Sequence, residues 1–311
     1  MSRVALLVTG KLEHTAFARA FSKLFPSHHF EVLPTEREIA AMGRLPTNGF
    51  TTCALNAQSV INPPGTLLDL IGRAAGAALG DRRSDTQAYD LVVIIDDLEL
   101  CNQHQPQLAV EVVRAAVTKH LDTLQRSRRR TERALKDPVS LHFAVPMVES
   151  WIFADAGGAL RAGVPAGNAP LLRGRDCEQF HVIDEEYLTD DGSACLTWHA
   201  LAGKKRDLNK PIWLKGLNDR ANHPKRYLAW LCKEPLERNC TSYSETANGA
   251  EAVADLDWAM ALAQADGMRF LRSLVLDMVD ILGAPAVDVG VVAQPLTSRN
   301  HLPRDPVLRN L

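Results

Sequence analysis

Glu13, Asp96, Asp97, Glu99 and Glu149 are the side chains of this 311-residue sequence whose placement suggests chemistry. Each follows an apolar run that reads as a β-strand. Glu13 comes just after Val4 to Val8, Asp96-Asp97-Leu98-Glu99 directly after Leu91 to Ile95, and Glu149 just after Leu141 to Val145. Ligands of a parallel sheet bind outside the carboxyl ends of its strands, so these acids are expected to face one crevice. Carboxylates gathered there repel one another unless a cation neutralises them, and hard oxygen donors select Mg²⁺ or Mn²⁺. Such a site activates water and holds a phosphodiester for metal-assisted hydrolysis. Lys11, in the Gly10-Lys11 turn, would add a phosphate-binding ammonium beside backbone N–H groups. The same acids also suit local roles: Asp96 and Asp97 as turn or N-cap residues, Glu13 in a solvated first turn, Glu149 as a helix cap. Spacing leaves both readings open.

The elements that must position these residues follow a βα alternation. Val4 to Val8 stops at Thr9-Gly10-Lys11 and gives way to helical spacing through Phe17, Ala20, Phe21 and Leu24. A second strand is expected from Phe30 to Leu33 and a helix from Thr66 to Leu79, with a Pro- and Gly-punctuated stretch between them that shows no clear pattern. Leu91 to Ile95, five consecutive aliphatic residues, suits a strand buried on both faces. One long helix is expected over 107–135, then a strand at Leu141 to Val145 and an apolar-aromatic helix from Val148 to Ala154. This pattern predicts an α/β fold: a parallel-sheet domain flanked by helices over residues 1–160, followed by a mostly helical C-terminal part over 161–311. In that part helical spacing covers Pro224 to Cys232, Asn248 to Gln264 and Met268 to Leu282.

Composition narrows the class. Hydrophobic residues make up 46% and charged residues 23%, which excludes disordered, collagen-like and coiled-coil chains. No apolar stretch approaches the roughly 20 residues a membrane helix needs, and the start carries no signal-peptide pattern, so a cytoplasmic protein without a membrane partner is expected. Six scattered cysteines with no CxxC pair are expected to be reduced and mostly buried.

The formal charge of −2 hides segregation. Residues 176–191 carry seven acids and no Lys or Arg, whereas 203–226 carry eight Lys and Arg against two Asp. Lys204, Lys205, Arg206, Lys210, Lys215, Arg220, Lys225 and Arg226, with His223, form a basic stripe interleaved with Trp213, Tyr227 and Trp230. Cations beside aromatic faces suit a nucleic-acid backbone and its bases; a salt-bridged surface facing the acidic segment is the other reading. A second basic cluster, Arg126 to Lys136, suits the solvated end of a helix. Trp151 and Trp258 are expected in the core.

Leu7-Val8-Thr9-Gly10-Lys11-Leu12-Glu13-His14 resembles the opening motif of TOPRIM domains, and Asp96-Asp97-Leu98-Glu99 resembles their Asp-x-Asp element. Glu149-Ser150-Trp151-Ile152-Phe153-Ala154-Asp155 is similar to the Glu-x-Trp signature of a bacterial TOPRIM-like domain family of unknown function. His223 to Leu228, Tyr243 to Thr246 and Leu256-Asp257-Trp258 are similar to the C-terminal half of that family, which is distantly similar to the overcoming-lysogenization-defect nucleases. The resemblance implies a TOPRIM fold and Mg²⁺ or Mn²⁺ held by Glu13, Asp96, Asp97, Glu99 and Glu149. It also implies nuclease activity on DNA or RNA in a bacterial phage-defence or repair module, with an ATPase protein partner. Glu13, Asp97, Glu149 and Lys11 would be catalytic. Thr9 stands where the opening motif has its catalytic Glu, so a catalytically degenerate scaffold or sensor subunit of an ATPase-containing complex is the alternative.

Overall fold

The computed structural model describes residues 1–42, 50–80, 87–201, 211–214, 217–234, 237, 240–263, 267–290 and 305–311. Four strands, β1 (Arg3–Val8), β2 (His29–Leu33), β3 (Leu91–Asp97) and β4 (Val139–Ala144), form one sheet in the order β2-β1-β3-β4. All three pairings are parallel. The aliphatic runs become β1 and β3 because both sheet faces are covered; β2, at one edge, alternates buried and partly exposed residues. At the other edge β4 is buried throughout, because the C-terminal residues cover it. Arg309 N–H donates to the Val139 carbonyl at 2.7 Å, and the Asn310 side chain bonds both Leu141 N–H (2.9 Å) and its carbonyl (2.7 Å).

Helices layer the sheet on both faces. On one lies α1 (Lys11–Leu24), whose Leu12, Ala16, Phe17, Ala20, Phe21 and Leu24 recur at helical spacing and pack on Val4, Leu6, Val93 and Ile95. On the other lie α2 (Gly65–Leu79), α3 (Pro106–Asp122) and α4 (Arg128–Lys136), against Ala5, Leu7, Val92, Ile94 and Leu141. The helix expected as one piece over 107–135 is two, because Thr123 turns its hydroxyl back on the His120 carbonyl (2.7 Å) and closes the first. Among the described residues of the stretch before α2 are short helical segments at Glu36–Met42, Thr52–Ala54 and Ala57–Ile61.

The C-terminal helices pack over the α1 face and share its core. They include α6 (Pro224–Leu231) and α7 (Arg269–Leu282), which follow α5 (Glu149–Ala154). Trp151 of α5 stacks on Phe17 (5.6 Å, 10°), and Trp258 meets Phe21 at 5.4 Å. The helical spacing over 248–264 is divided into a π-turn (Glu245–Gly249) and two short helices (Ala250–Ala254, Trp258–Leu262). Asp257 starts the last of these by accepting from Met260 N–H, while its own N–H is held by Asp155 (2.7 Å). Among the described residues no helix is long and apolar enough to cross a membrane.

Two pairs of cysteines correct the expectation of reduced thiols. Cys53 is joined to Cys101 and Cys195 to Cys240, with Cα–Cα separations of 5.2 and 5.9 Å, inside the range a disulfide spans. Cys177 and Cys232 are buried thiols. Partners 48 and 45 residues apart leave no local spacing signal.

Candidate functional site at the carboxyl ends of the strands

The strand order reverses between β1 and β3: β1 runs into α1 on one face, whereas β3 feeds helices on the other. Chains that part in opposite directions leave a crevice at their carboxyl ends. There the structure has a cavity of about 320 Å³ lined by Lys11, Glu13, Asp97, Glu99, Glu149 and Glu245, with His223, Lys225 and Arg226 on its C-terminal side. Asp96 lies beside it, buried.

Each acid is set by its local backbone. Gly10 is the N-cap of α1 and Glu13 sits three residues on, its carboxyl folded back over the glycine; a Cβ at residue 10 would collide with it. Burial pushes the Glu13 carboxyl up to about 8, with its own backbone N–H pulling the other way and the charges of Glu149, Asp96 and Glu245 adding to the rise. Asp96 accepts the Thr9 hydroxyl through Oδ1, and its Oδ2 is buried with no hydrogen-bond partner. Burial raises this carboxyl to about 7, the Thr9 bond opposing and Glu99 reinforcing the shift. Asp97 accepts Val148 N–H at 3.0 Å, which ties the end of β3 to the start of α5. Burial and then the charges of Glu13, Glu149 and Glu99 hold Asp97 well above the ordinary range.

Glu99 has φ +59°, a left-handed conformation that costs a non-glycine residue roughly 1–2 kcal/mol. Leu98 and Glu99 N–H donate to the Ala144 and Pro146 carbonyls, both at 2.9 Å, and hold the turn there. Glu149, at the start of α5, is raised by burial against the pull of Lys225, whose Nζ lies 4.0 Å away. Lys225 also pairs with Glu245. Burial alone would lower the Lys225 ammonium, but Glu149 and Glu245 hold it above its ordinary value.

Glu13, Asp97, Glu99, Glu149 and Lys11 therefore line one cavity, with Asp96 adjoining it. Of the expected basic stripe, Lys204, Lys205, Arg206, Lys210 and Lys215 lie outside the described residues. Lys225 faces the acids, and Arg226 shares the cavity. His223 is held down to about 3 by burial and by Arg226 and Lys225, so its ring is neutral at pH 7. The aromatics expected to stack on bases are core residues instead: Trp213, Tyr227 and Trp230 are 2%, 0% and 5% exposed. The acidic segment meets that core through the Tyr227 hydroxyl on Asp184 (2.8 Å), Trp230 Nε1 on Asp190 (2.6 Å) and the buried Tyr187 ring, 4.9 Å from Tyr227 and 5.5 Å from Trp230. Arg220 of the stripe is buried and donates to the Leu188 and Asp190 carbonyls.

Glu245 and Tyr243 were not assigned from sequence. Glu245 opens the π-turn, and the buried Tyr243 hydroxyl has no hydrogen-bond partner; burial, Glu149 and Glu245 keep that phenol protonated. An irregular turn carries no periodicity to reveal them, although single π-turns recur at functional sites.

An oxygen-only donor set with an unpartnered Asp96 oxygen fits a hard divalent cation. The donors line one space without being drawn onto one point: among the described residues no group of three or more His, Cys, Asp or Glu is gathered closely enough to hold an ion as they stand. No family model, curated protein or solved structure matches this chain.

Proposed function

We propose that the cavity binds Mg²⁺ or Mn²⁺ and hydrolyses a phosphodiester of DNA or RNA, the activity implied by the TOPRIM resemblance. The observation that carries this reading is the meeting of acids from three strand ends at the switch point, all shifted toward the protonated form by burial, with Lys225 as the cation paired among them. Glu13, Asp96, Asp97, Glu99 and Glu149 would hold the ion, which would polarise a phosphoryl oxygen and lower the pKa of water bound to it. Lys11 and Arg226, on the cavity wall, suit the phosphate oxygens. Glu13, whose carboxyl burial holds up at about 8, would give up its proton as the ion binds. Divalent-dependent cleavage of an oligonucleotide is expected and should be lost in an Asp97→Ala, Glu149→Ala double variant; cleavage that persists there rules the assignment out.

Two observations favour a second reading, a non-catalytic TOPRIM-like subunit serving an ATPase partner. Thr9 binds Asp96 where the motif has a Glu, and Lys225 already offsets part of the acidic charge. On this reading the protein as it stands binds Mg²⁺ weakly and Thr9→Glu tightens binding, which calorimetric titration of both forms checks.

A further inference from the structure

The turn that carries Asp97 and Glu99 is gripped from outside the sheet by a cross-linked unit. Cys53 and Cys101, both exposed, form a disulfide; Thr52, next to Cys53, reaches the turn, and Asn102, next to Cys101, reaches Thr52. Thr52, fully buried, donates its hydroxyl to the Leu98 carbonyl (2.6 Å) and the Asp97 carbonyl (3.0 Å). Asn102, 1% exposed, donates its side-chain amide to the Thr52 carbonyl and accepts from Gln105 at 2.7 Å. Between these anchors Glu99 is in the left-handed region, a conformation that persists only when its surroundings hold it.

We propose that the Cys53–Cys101 disulfide is a redox-sensitive clamp on the acidic turn, opened by a dithiol reductant; this rests on reading the cavity as a divalent-cation site. A thiolate of the dithiol attacks one sulfur, forming a mixed disulfide and releasing the other cysteine. The second thiol of the reductant then resolves the mixed disulfide. Cys53 and Cys101 gain two electrons and two protons and end as thiols, and the dithiol ends as its disulfide. The second pair, Cys195–Cys240, is 4% and 1% exposed, so the exposed pair is the one a reductant reaches first. With the cross-link cut, the segment bearing Thr52 is held to the turn by its hydrogen bonds and by Phe50 and Leu55 in the core they share with Leu98, and the grip on Asp97 and Glu99 loosens.

Amide hydrogen exchange at Leu98 and Glu99, with Mn²⁺ titration alongside, tests this in the full chain. On adding dithiothreitol to the oxidised protein, both amides are expected to exchange about tenfold faster, and Mn²⁺ to bind several-fold more weakly. A Cys53→Ser, Cys101→Ser variant keeps the other pair and is expected to exchange at the fast rate with or without reductant. Unchanged exchange in the native protein, exchange in the variant that still responds to reductant, unchanged Mn²⁺ affinity on reduction, or no Cys53–Cys101 cross-link in a non-reducing peptide map each overturns the clamp. If the oxidised protein binds no Mn²⁺, the cation reading fails, and exchange still decides whether the disulfide holds the turn.

Discussion

At the β4 edge, Asp277 of α7 lies 3.0 Å from Arg309 Nε and 3.2 Å from His142 Nε2, and Arg309 reaches on to Asp280 at 3.4 Å. At the switch point, Glu13, Asp96, Asp97, Glu99 and Glu149 have, among the described residues, one close ammonium, Lys225, which they share with Glu245. Both clusters are buried, yet their protonation runs in opposite directions. Burial would raise Asp277, but the hydrogen bond and charge of His142 and the charge of Arg309 bring it below its ordinary value. The switch-point acids have too little compensation and are all raised. The first cluster is closed on itself and fastens the C-terminal residues to the sheet. Among the described residues the second is incomplete, which stability alone does not explain.

Breaking each cluster should therefore have opposite signs. The largest effect is expected from Arg309→Ala, which leaves the buried Asp277 with His142 as its remaining partner and should cost about 2–3 kcal/mol in a denaturant titration. At the other cluster Asp97→Asn keeps an acceptor for Val148 N–H and replaces a carboxyl that burial holds well above its ordinary range with a group that never ionises, so it should stabilise the cation-free protein by about 1 kcal/mol while abolishing divalent binding; a loss of stability there would make Asp97 structural.

The pH dependence sharpens the contrast. Glu13 and Asp96 have ordinary values of 4.5 and 3.8 and folded values of about 8 and about 7. The folded chain thus keeps protons that the unfolded chain has lost. Their contribution is fully present below the unfolded values and is lost as pH rises through the folded ones, so the cation-free thermal midpoint should fall as pH rises from about 4.5 to about 8. Asp277, being lowered, contributes in the other window: its stabilisation is present above 3.8 and lost as pH falls through its folded value. In Glu13→Gln the neutral-range slope should shrink while the acid limb stays. The smallest effect is expected from Thr9→Val, which removes one hydrogen bond to Asp96 and should cost about 1 kcal/mol, read by thermal melting at pH 8.

The two clusters also differ in how far sequence reveals them. Glu13, Asp97, Glu99 and Glu149 were legible because each abuts an aliphatic run whose burial dictates a strand, and the ends of parallel strands meet. The Lys225–Glu245 pair was not, since it joins the start of α6 to a π-turn by tertiary packing alone. The same holds for Asp277 with Arg309, and for the cysteine pairs. Trp213, Tyr227 and Trp230 misled because aromatics beside cations read alike whether they face solvent or a core. The helix break at Thr123 was missed because apolar spacing continues through it while a hydroxyl ends the hydrogen-bond ladder.

The central claim, that the raised switch-point carboxylates form a divalent-cation site, is tested most directly by titrating Mn²⁺ calorimetrically at neutral pH in buffers of different ionisation heat. The account predicts saturable binding with release of protons held by Glu13 and Asp96, both effects disappearing in Asp97→Asn. Absence of saturable binding, or binding that releases no protons and survives Asp97→Asn, would contradict it.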